Sequence, residues 1–513
     1  MFASVLSAAI SGMEVCQVQV EADVSDGLPC FTMVGFPSTQ VKEAQDRVRT
    51  ALRNNGIHLP PKRVTVNLAP ADLRKEGAGF DLPVAAAVLG AAGFLEPDVL
   101  DKVMIMGEIS LNGQVRGLSG VLPRVIRARE LKCRYCIIPA ENLAEGSLIR
   151  DMKIIGVRTV GEMLEAVKNP EQFEKMQSFG GENQKDKGSE TENQEEKQVD
   201  FREICGQESA RRAAEIAAGG FHNILFTGPP GTGKTMLAKR IPTIMPSLTF
   251  EESLELTRIY SIAGLLSPNT PLVKKRPFRC PHHTSPPPSL AGGGRVPRPG
   301  EVTLAHKGVL FLDEMPEFSR RSLEVLRQPL EDKTIQLSRA SGTYTFPAGF
   351  ILVAAMNPCP CGYYPDLNRC RCTPGQISHY LHKISQPLLD RIDLCVEVPP
   401  VKFSQITGEE KGESSEEIRK RVEQVRKIQE KRYEQENIRF NGELSAKQIE
   451  KYCILTEHAL DVTRKAFEIM ELSARAYHRI LKVSRTIADM EGTQDIHARH
   501  IREALTYRAL ERV

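Results

Sequence analysis

No apolar run in this 513-residue chain approaches the ~20 residues that a membrane-spanning helix needs, so no membrane partner is expected. Charge of one sign is also missing. Lys and Arg number 68 against 65 Asp and Glu, a net +3, so any surface for nucleic acid has to be local. The first ten residues are apolar but carry no basic segment, and acidic residues follow soon after. They resemble a first strand more than a signal peptide. The twelve cysteines are mostly scattered and form no disulfide framework, which fits reduced thiols and a cytoplasmic location. The rest of the composition, 41% hydrophobic and 26% charged, is that of a soluble globular protein, and the length predicts two to four domains.

The strongest signal is Gly228-Pro229-Pro230-Gly231-Thr232-Gly233-Lys234-Thr235, a complete G-x-x-x-x-G-K-[ST] pattern. Asn223 to Thr227 precedes it as a buried strand, and Met236 to Arg240 begins a helix. In that setting successive backbone N–H groups wrap phosphates at the positive end of a helix dipole. Lys234 is predicted to reach the β- and γ-phosphates of ATP and Thr235 to hold Mg²⁺. About 75 residues on, Val309 to Leu312 is an apolar strand ending in Asp313-Glu314. Asp313 suits hydrated Mg²⁺, and Glu314 suits the general base that polarises the attacking water. Asn357 tips a further buried strand, Phe350 to Met356.

Upstream, Val15 to Ala22 and Val64 to Leu68 are predicted strands, and Asp81 to Gly93 a closely packed small-residue helix. Met104 to Val115 is predicted as a hairpin turning at Asn112-Gly113, with a helix at 121–131 and a strand at Tyr135 to Pro139 after it. This series resembles the peptidase domain of Lon proteases, with a fold like that of ribosomal protein S5. The loop that holds the Lon nucleophile is here Lys75-Glu76-Gly77-Ala78-Gly79-Phe80, with no Ser, Thr or Cys, and Arg124 stands where Lon has its catalytic Lys. With neither nucleophile nor tunable base, the domain is expected to bind or dock, not to cleave peptides.

Other stretches resemble AAA+ ATPases. Asp200 to Glu208 resembles the segment that touches adenine, Asn357 resembles sensor 1, and Leu388-Leu389-Asp390-Arg391-Ile392-Asp393 resembles the arginine-finger segment. The finger role of Arg391 implies a ring, six subunits by resemblance; an ordinary intrachain ion pair is the alternative. Leu472 to Arg479 resembles sensor 2, with Arg475 at the γ-phosphate and Arg485 as its competitor. Pro281-His282-His283, a Pro/Gly-rich loop at 285–300, a hairpin at 334–346 and Asn357-Pro358-Cys359-Pro360-Cys361-Gly362 complete the order of motifs. Together they resemble the YifB/ComM family of magnesium-chelatase-like AAA+ ATPases over essentially the whole chain. Cys280 departs from the family pattern, where Ala is expected.

The expected fold class is therefore α/β. A Lon-like, non-catalytic α+β domain at 1–170 precedes a flexible linker at 171–199. A parallel-sheet AAA+ core follows at 200–400, with a helical lid at 401–513. Residues 413–437, dense in Glu, Lys and Arg, are expected to form a solvated helix. Cys359, Cys361, Cys370 and Cys372 form C-x-C-x₈-C-x-C, a candidate four-thiolate Zn²⁺ site; a reduced metal-free or redox-sensitive loop is the alternative. His282 and His283 are possible further ligands or substrate contacts.

The family resemblance implies a hexameric DNA motor that drives branch migration during recombination of transformed single strands. Arg295, Arg298, Lys333 and Arg339 are candidate phosphate contacts on pore-facing loops; plain surface solubility is their alternative. Two rivals remain. A magnesium-chelatase motor subunit would use the same core, although the Lon-like domain is foreign to such subunits as the resemblance has it. A protein-remodelling ATPase would want an aromatic pore loop, for which only Tyr344 offers itself.

Overall fold

The computed structural model describes residues 1–173, 199–267, 270–294, 297–339, 342–401, 412–436 and 438–508. The 171–199 linker lies almost wholly outside these, and Arg295 lies outside them too. The chain divides into two units, one of 1–196 with 253–273 and one of 197–252 with 274–513. Among the described residues no helix is long and apolar enough to cross a membrane.

The first unit is built on a seven-stranded mixed sheet, in spatial order Cys30–Val34, Arg63–Ala69, Glu14–Ser25, Phe2–Ser11, Val103–Ile105, Tyr135–Pro139 and Ile154–Val157. The long antiparallel pair Phe2–Ser11 and Glu14–Ser25 follows from strict alternation, which buries Val18, Val20 and Ala22 on one face. The helix Asp81–Ala91 is buried along its whole length because Ala and Gly let it lie close to the sheet. Its first residue, Asp81, receives a bidentate pair of 2.8 Å bonds from Arg47, which partly offset the burial that pushes its carboxyl up. The expected single hairpin at 104–115 is instead two things. Val103–Ile105 is a central strand, and Glu108–Ile109 pairs separately with Val115–Arg116 around Asn112-Gly113. Gly113 at φ +84° supplies the left-handed turn position.

In the Lys75 loop the ammonium is fully buried, donating to the carbonyls of Gly35 (3.1 Å) and Pro70. Arg124 donates to the carbonyls of Ala8, Ser119 and Gly120. Both cations are thus bound to backbone. Residues 253–273 fall within 200–400 in sequence yet belong to this unit, where Ser261 accepts from the Gly120 N–H at 2.9 Å and donates to Glu145 at 2.5 Å.

The second unit carries a five-stranded parallel sheet, in order Phe278–Arg279, Val309–Leu312, Ile351–Met356, Ile224–Thr227 and Leu394–Glu397. The three inner strands are apolar runs without alternation because helices cover both faces, whereas the edge strand Leu394–Glu397 alternates. Among the described residues the C-terminal region contains the helices Ser415–Arg432, Ala446–Tyr452, Glu457–Ile469, Ala474–Met490 and Ala498–Thr506. Ser414 and Glu417 form a capping box that starts the first of them. That helix is not solvated all round as its charge density predicts. Ile418, Val422 and Val425 are buried along one side of it, and Ile418 and Val422 share an apolar cluster with the helix Glu208–Gly220. The charges between these apolar residues mask their periodicity in the sequence.

Glu252 is buried among three guanidinium groups, those of Arg276 (3.2 Å), Arg426 (3.3 Å) and Arg439 (3.0 Å). Burial pushes its carboxyl up, but Arg276 and Arg426 prevail and hold it below its ordinary value. Because the folded value is depressed, this contribution to stability is complete above the unfolded carboxyl value of about 4.3 and is lost as pH falls through the folded one. Glu252→Gln keeps the shape and strands three cations. It is expected to cost about 3–5 kcal/mol, read as a lower calorimetric melting temperature for the second unit.

Candidate functional site: the phosphate loop and its neighbours

The loop Gly228 to Thr235 joins the carboxyl end of the Ile224–Thr227 strand to the helix Lys234–Ile244. Gly231 (φ +78°) and Gly233 (φ +85°) take left-handed conformations that turn the backbone N–H groups around the cradle. Thr232 Oγ1 donates to the Pro229 carbonyl at 3.0 Å, and Gln207 holds the loop from outside, its side chain donating to the Thr232 carbonyl at 2.6 Å. Gln207 itself stands at φ +55°. The sequence places it near adenine but offers no reason to single it out.

Lys234 is nearly buried and points inward. Its ammonium donates to the carbonyls of Gly228 (2.7 Å) and Pro229 (2.8 Å) and to Asn357 Oδ1 (3.2 Å). Burial lowers its pKa, opposed by the charges of Asp313 and Glu314. Thr235 Oγ1 donates to Asp313 at 2.9 Å, a hydroxyl and a carboxylate side by side with the oxygen donors that Mg²⁺ prefers. Glu314 follows at φ +51°, ψ +48°, a strained conformation for a residue other than Gly, with its carboxylate in solvent. The structure thus gathers Lys234, Thr235, Asp313, Glu314 and Asn357 around one cradle.

His283 Nδ1 stands 4.0 Å from the Glu314 carboxylate, and the His282 ring lies 4.1 Å from that of His283. The pair follows the edge strand Phe278–Arg279, which runs parallel to Val309–Leu312 and so delivers them to the same sheet end as Asp313 and Glu314. Among the described residues neither His belongs to the group of converging cysteines.

Arg391 and Arg475 are elsewhere. Both line a cavity of about 670 Å³ in the second unit together with Asn223, Glu331, Lys333 and Arg479. Asn223 Nδ2 donates to the Arg391 carbonyl at 2.8 Å, which places Arg391 beside the start of the Ile224–Thr227 strand. The phosphate loop begins at the other end of that strand, roughly 13 Å further along at ~3.3 Å per residue. Arg391 is paired with Glu331 and donates to the Pro387 carbonyl at 2.5 Å, while its Nε has no hydrogen-bond partner among the described residues. The bond from Arg391, with the nearby Arg475 charge, holds the Glu331 carboxyl below its ordinary value. Arg485, the competitor, is fully buried and bound to Asp489 and to the carbonyls of Thr493 and Gln494. It is a core residue.

Of the candidate phosphate contacts, Lys333 is displaced. It sits half-buried at the root of the Thr334–Arg339 and Gly342–Pro347 hairpin, in the Arg391 cavity, and burial lowers its pKa. Arg339 and Arg298 are exposed and close together. Arg298 pairs with Gly293 in a small ladder, and a Cβ built at Gly293 would come 3.6 Å from Arg339 Nη2.

The four cysteines converge, with all four sulfurs within 4.8 Å of one another. Cys359 lies 3.4 Å from Cys361 and 3.8 Å from Cys370, and Cys361 lies 3.5 Å from Cys370. A tetrahedral thiolate site with Zn–S near 2.3 Å has sulfur–sulfur edges of about 3.8 Å, so the set fits a closed metal site.

Three family models match the chain: "Magnesium chelatase, subunit ChlI" over residues 200–406, "Subunit ChlI of Mg-chelatase" over 20–142, and "Magnesium chelatase, subunit ChlI C-terminal" over 412–508. Competence protein ComM of Haemophilus influenzae is 44% identical over 521 residues, covering 100% of this chain and 98% of that protein. YifB of Salmonella typhimurium is 42% identical, with 98% of this chain and 96% of that protein covered. Lon protease 2 of Bacillus subtilis is 31% identical over 130 residues, 25% of this chain and 23% of that protein.

Proposed function

The chain belongs to the ComM/YifB family of magnesium-chelatase-like AAA+ ATPases, and from that premise we propose that it is an ATP-hydrolysing ring motor that acts on DNA. The observation that carries the ring is the separation of Arg391 and Arg475 from the phosphate loop of their own chain. Two guanidinium groups at the far end of the strand meet a nucleotide only when a second copy brings its loop to them.

In this reading Lys234 leaves the Gly228 and Pro229 carbonyls for the β- and γ-phosphate oxygens of ATP. Gly228, Pro229, Pro230, Gly231, Thr232 and Gly233 present their loop to the phosphates. Thr235 and Asp313 hold Mg²⁺, which neutralises phosphate charge when bound. Asn357 and Glu314 orient the attacking water, and Glu314 takes its proton. Arg391 and Arg475 of the adjoining subunit stabilise charge on the leaving phosphates. Cys359, Cys361, Cys370 and Cys372 hold a structural Zn²⁺, since four thiolates leave no open position for chemistry.

DNA as substrate is supported by the nearness of Arg298 and Arg339 on two hairpins, and by the competence role in the name of a full-length relative. Phosphate contacts of this kind bind without reading sequence. The Arg298→Glu/Arg339→Glu double variant is expected to retain basal ATPase, lose DNA stimulation, and flatten the dependence of log K on log salt by about one to two units. The test is ATPase rate and gel-shift binding with single-stranded, forked and four-way-junction DNA. Absence of DNA binding by the unaltered protein at low salt removes DNA as substrate.

A second reading, a magnesium-chelatase motor subunit, is favoured by all three family models. The N-terminal domain does not separate the two, because a chelatase-subunit model itself matches residues 20–142. Hydrolysis indifferent to every DNA, in a protein that stimulates Mg²⁺ insertion into a porphyrin by partner subunits, selects this second reading.

A further inference from the structure

The cysteine knuckle does not stand apart from the nucleotide cradle. Cys359 follows Asn357 after a single proline, and Asn357 accepts from Lys234 at 3.2 Å. Gly362, within the knuckle, lies directly on the phosphate loop. A Cβ built there would meet Pro230 Cδ at 2.6 Å and Asn357 Cγ at 3.8 Å. Its φ of +87° is one that a residue with a side chain avoids. The backbone N–H groups of Gly362 (3.2 Å) and Tyr364 (3.4 Å) donate to Cys359 Sγ, so the sulfur position dictates where this backbone runs. Beyond it Tyr363, Tyr364 and Pro365 form one wall of a cavity of about 540 Å³ whose other wall is Thr227, Gly228 and Pro229. Arg369 lies over the Tyr363 ring at 4.1 Å and stiffens the knuckle side of that wall.

We propose that the four-cysteine knuckle is a metal-dependent brace of the phosphate loop, so that Zn²⁺ held by Cys359, Cys361, Cys370 and Cys372 sets the affinity of the cradle for nucleotide. The inference rests on the reading of Gly228 to Thr235 as the ATP site and of the cysteines as a zinc site. The physical reason is packing. Thiols a few ångströms apart are joined only by weak S–H contacts. A cation bonded to all four sulfurs fixes them, and with them Gly362, Pro230 and Asn357. Loss of the cation frees the Gly362 backbone to withdraw from Pro230. The loop then loses its support at Pro230, and Lys234 loses the fixed Asn357 side-chain oxygen.

The experiment uses the full chain and reads nucleotide binding, not turnover. Zinc per chain is measured by plasma emission spectrometry, and Kd for a fluorescent ADP analogue by titration. Both are read for the unaltered protein, for Cys361→Ser, for Gly362→Ala and for the control Gly375→Ala, whose added methyl meets nothing within 4 Å. The unaltered protein and Gly375→Ala are expected to carry one zinc and bind alike. Cys361→Ser is expected to lose zinc and raise Kd about tenfold or more. Gly362→Ala, with all four thiols in place, is expected to keep zinc yet raise Kd about tenfold through overpacking on Pro230. Zinc withdrawn by a chelator and restored as Zn²⁺ is expected to raise and then recover Kd in the unaltered protein. This arm keeps the proposal testable if Cys361→Ser fails to fold. Kd unchanged within twofold on zinc removal, or unchanged in Gly362→Ala, overturns the brace. So does unaltered protein that holds no zinc and binds nucleotide. Failure of the motor reading itself shows differently, as absence of DNA stimulation with nucleotide affinity intact.

Discussion

Glu314→Gln is expected to lower the ATP turnover rate by about 10²–10⁴-fold, with ATP and ADP still bound. The amide keeps the size and the hydrogen-bonding shape of the carboxylate but cannot take the proton of the attacking water. The surroundings support so selective a loss. Glu314 is not a packing residue, because its side chain is largely in solvent, with His283 Nδ1 4.0 Å from its carboxylate. Its backbone N–H donates to Asp313 at 3.1 Å, a bond that the substitution leaves alone. Phosphate binding depends on Lys234 and the loop, and both are untouched. Single-turnover hydrolysis together with equilibrium nucleotide binding separates the two effects. Weakened binding in proportion to lost turnover counts against Glu314 as the base.

Arg391→Ala is expected to cost about 10³–10⁵-fold in turnover, and its position dictates a more specific result. Within its own chain Arg391 is tied to Glu331 and lies beside Asn223, away from the phosphate loop. Mixing Arg391→Ala subunits with Lys234→Ala subunits, each inactive alone, is expected to restore part of the activity. Some interfaces in the mixed ring pair an intact loop with an intact arginine. Arg475→Ala is expected to behave in the same way, since Arg475 lines the same cavity. If either arginine serves its own chain, no mixture recovers. The ion pair to Glu331 adds a further check. Glu331→Gln releases Arg391 without removing it, so it is expected to spare most of the activity that Arg391→Ala destroys.

Much of the nucleotide chemistry is legible in the order of residues along the chain. Gly228 to Thr235 and Val309 to Glu314 are local patterns, each a strand followed at once by the groups it presents, and the fold joins Thr235 to Asp313 at 2.9 Å. The cysteine knuckle is legible for the same reason, its four ligands lying within fourteen consecutive residues. The strands of the first unit are legible from alternation, as in Glu14–Ser25. At 103–116 the pattern breaks into very short segments, and a strand plus a separate ladder stands where alternation predicts one hairpin.

What the sequence determined by itself is three local groupings: the loop Gly228 to Thr235, the strand that ends in Asp313-Glu314, and the four cysteines between 359 and 372. Backbone geometry holds such groups together over short range, so spacing alone identifies them. What only the tertiary structure decided is which distant groups meet. It separated Arg475 from the phosphate loop and put it with Arg391, buried Arg485, withdrew Lys333 from the hairpin surface, and laid Gly362 against Pro230. Those outcomes depend on the order of parallel strands and on which end of the sheet each loop leaves. Side-chain packing between segments far apart in the chain sets that order, and local spacing does not encode it.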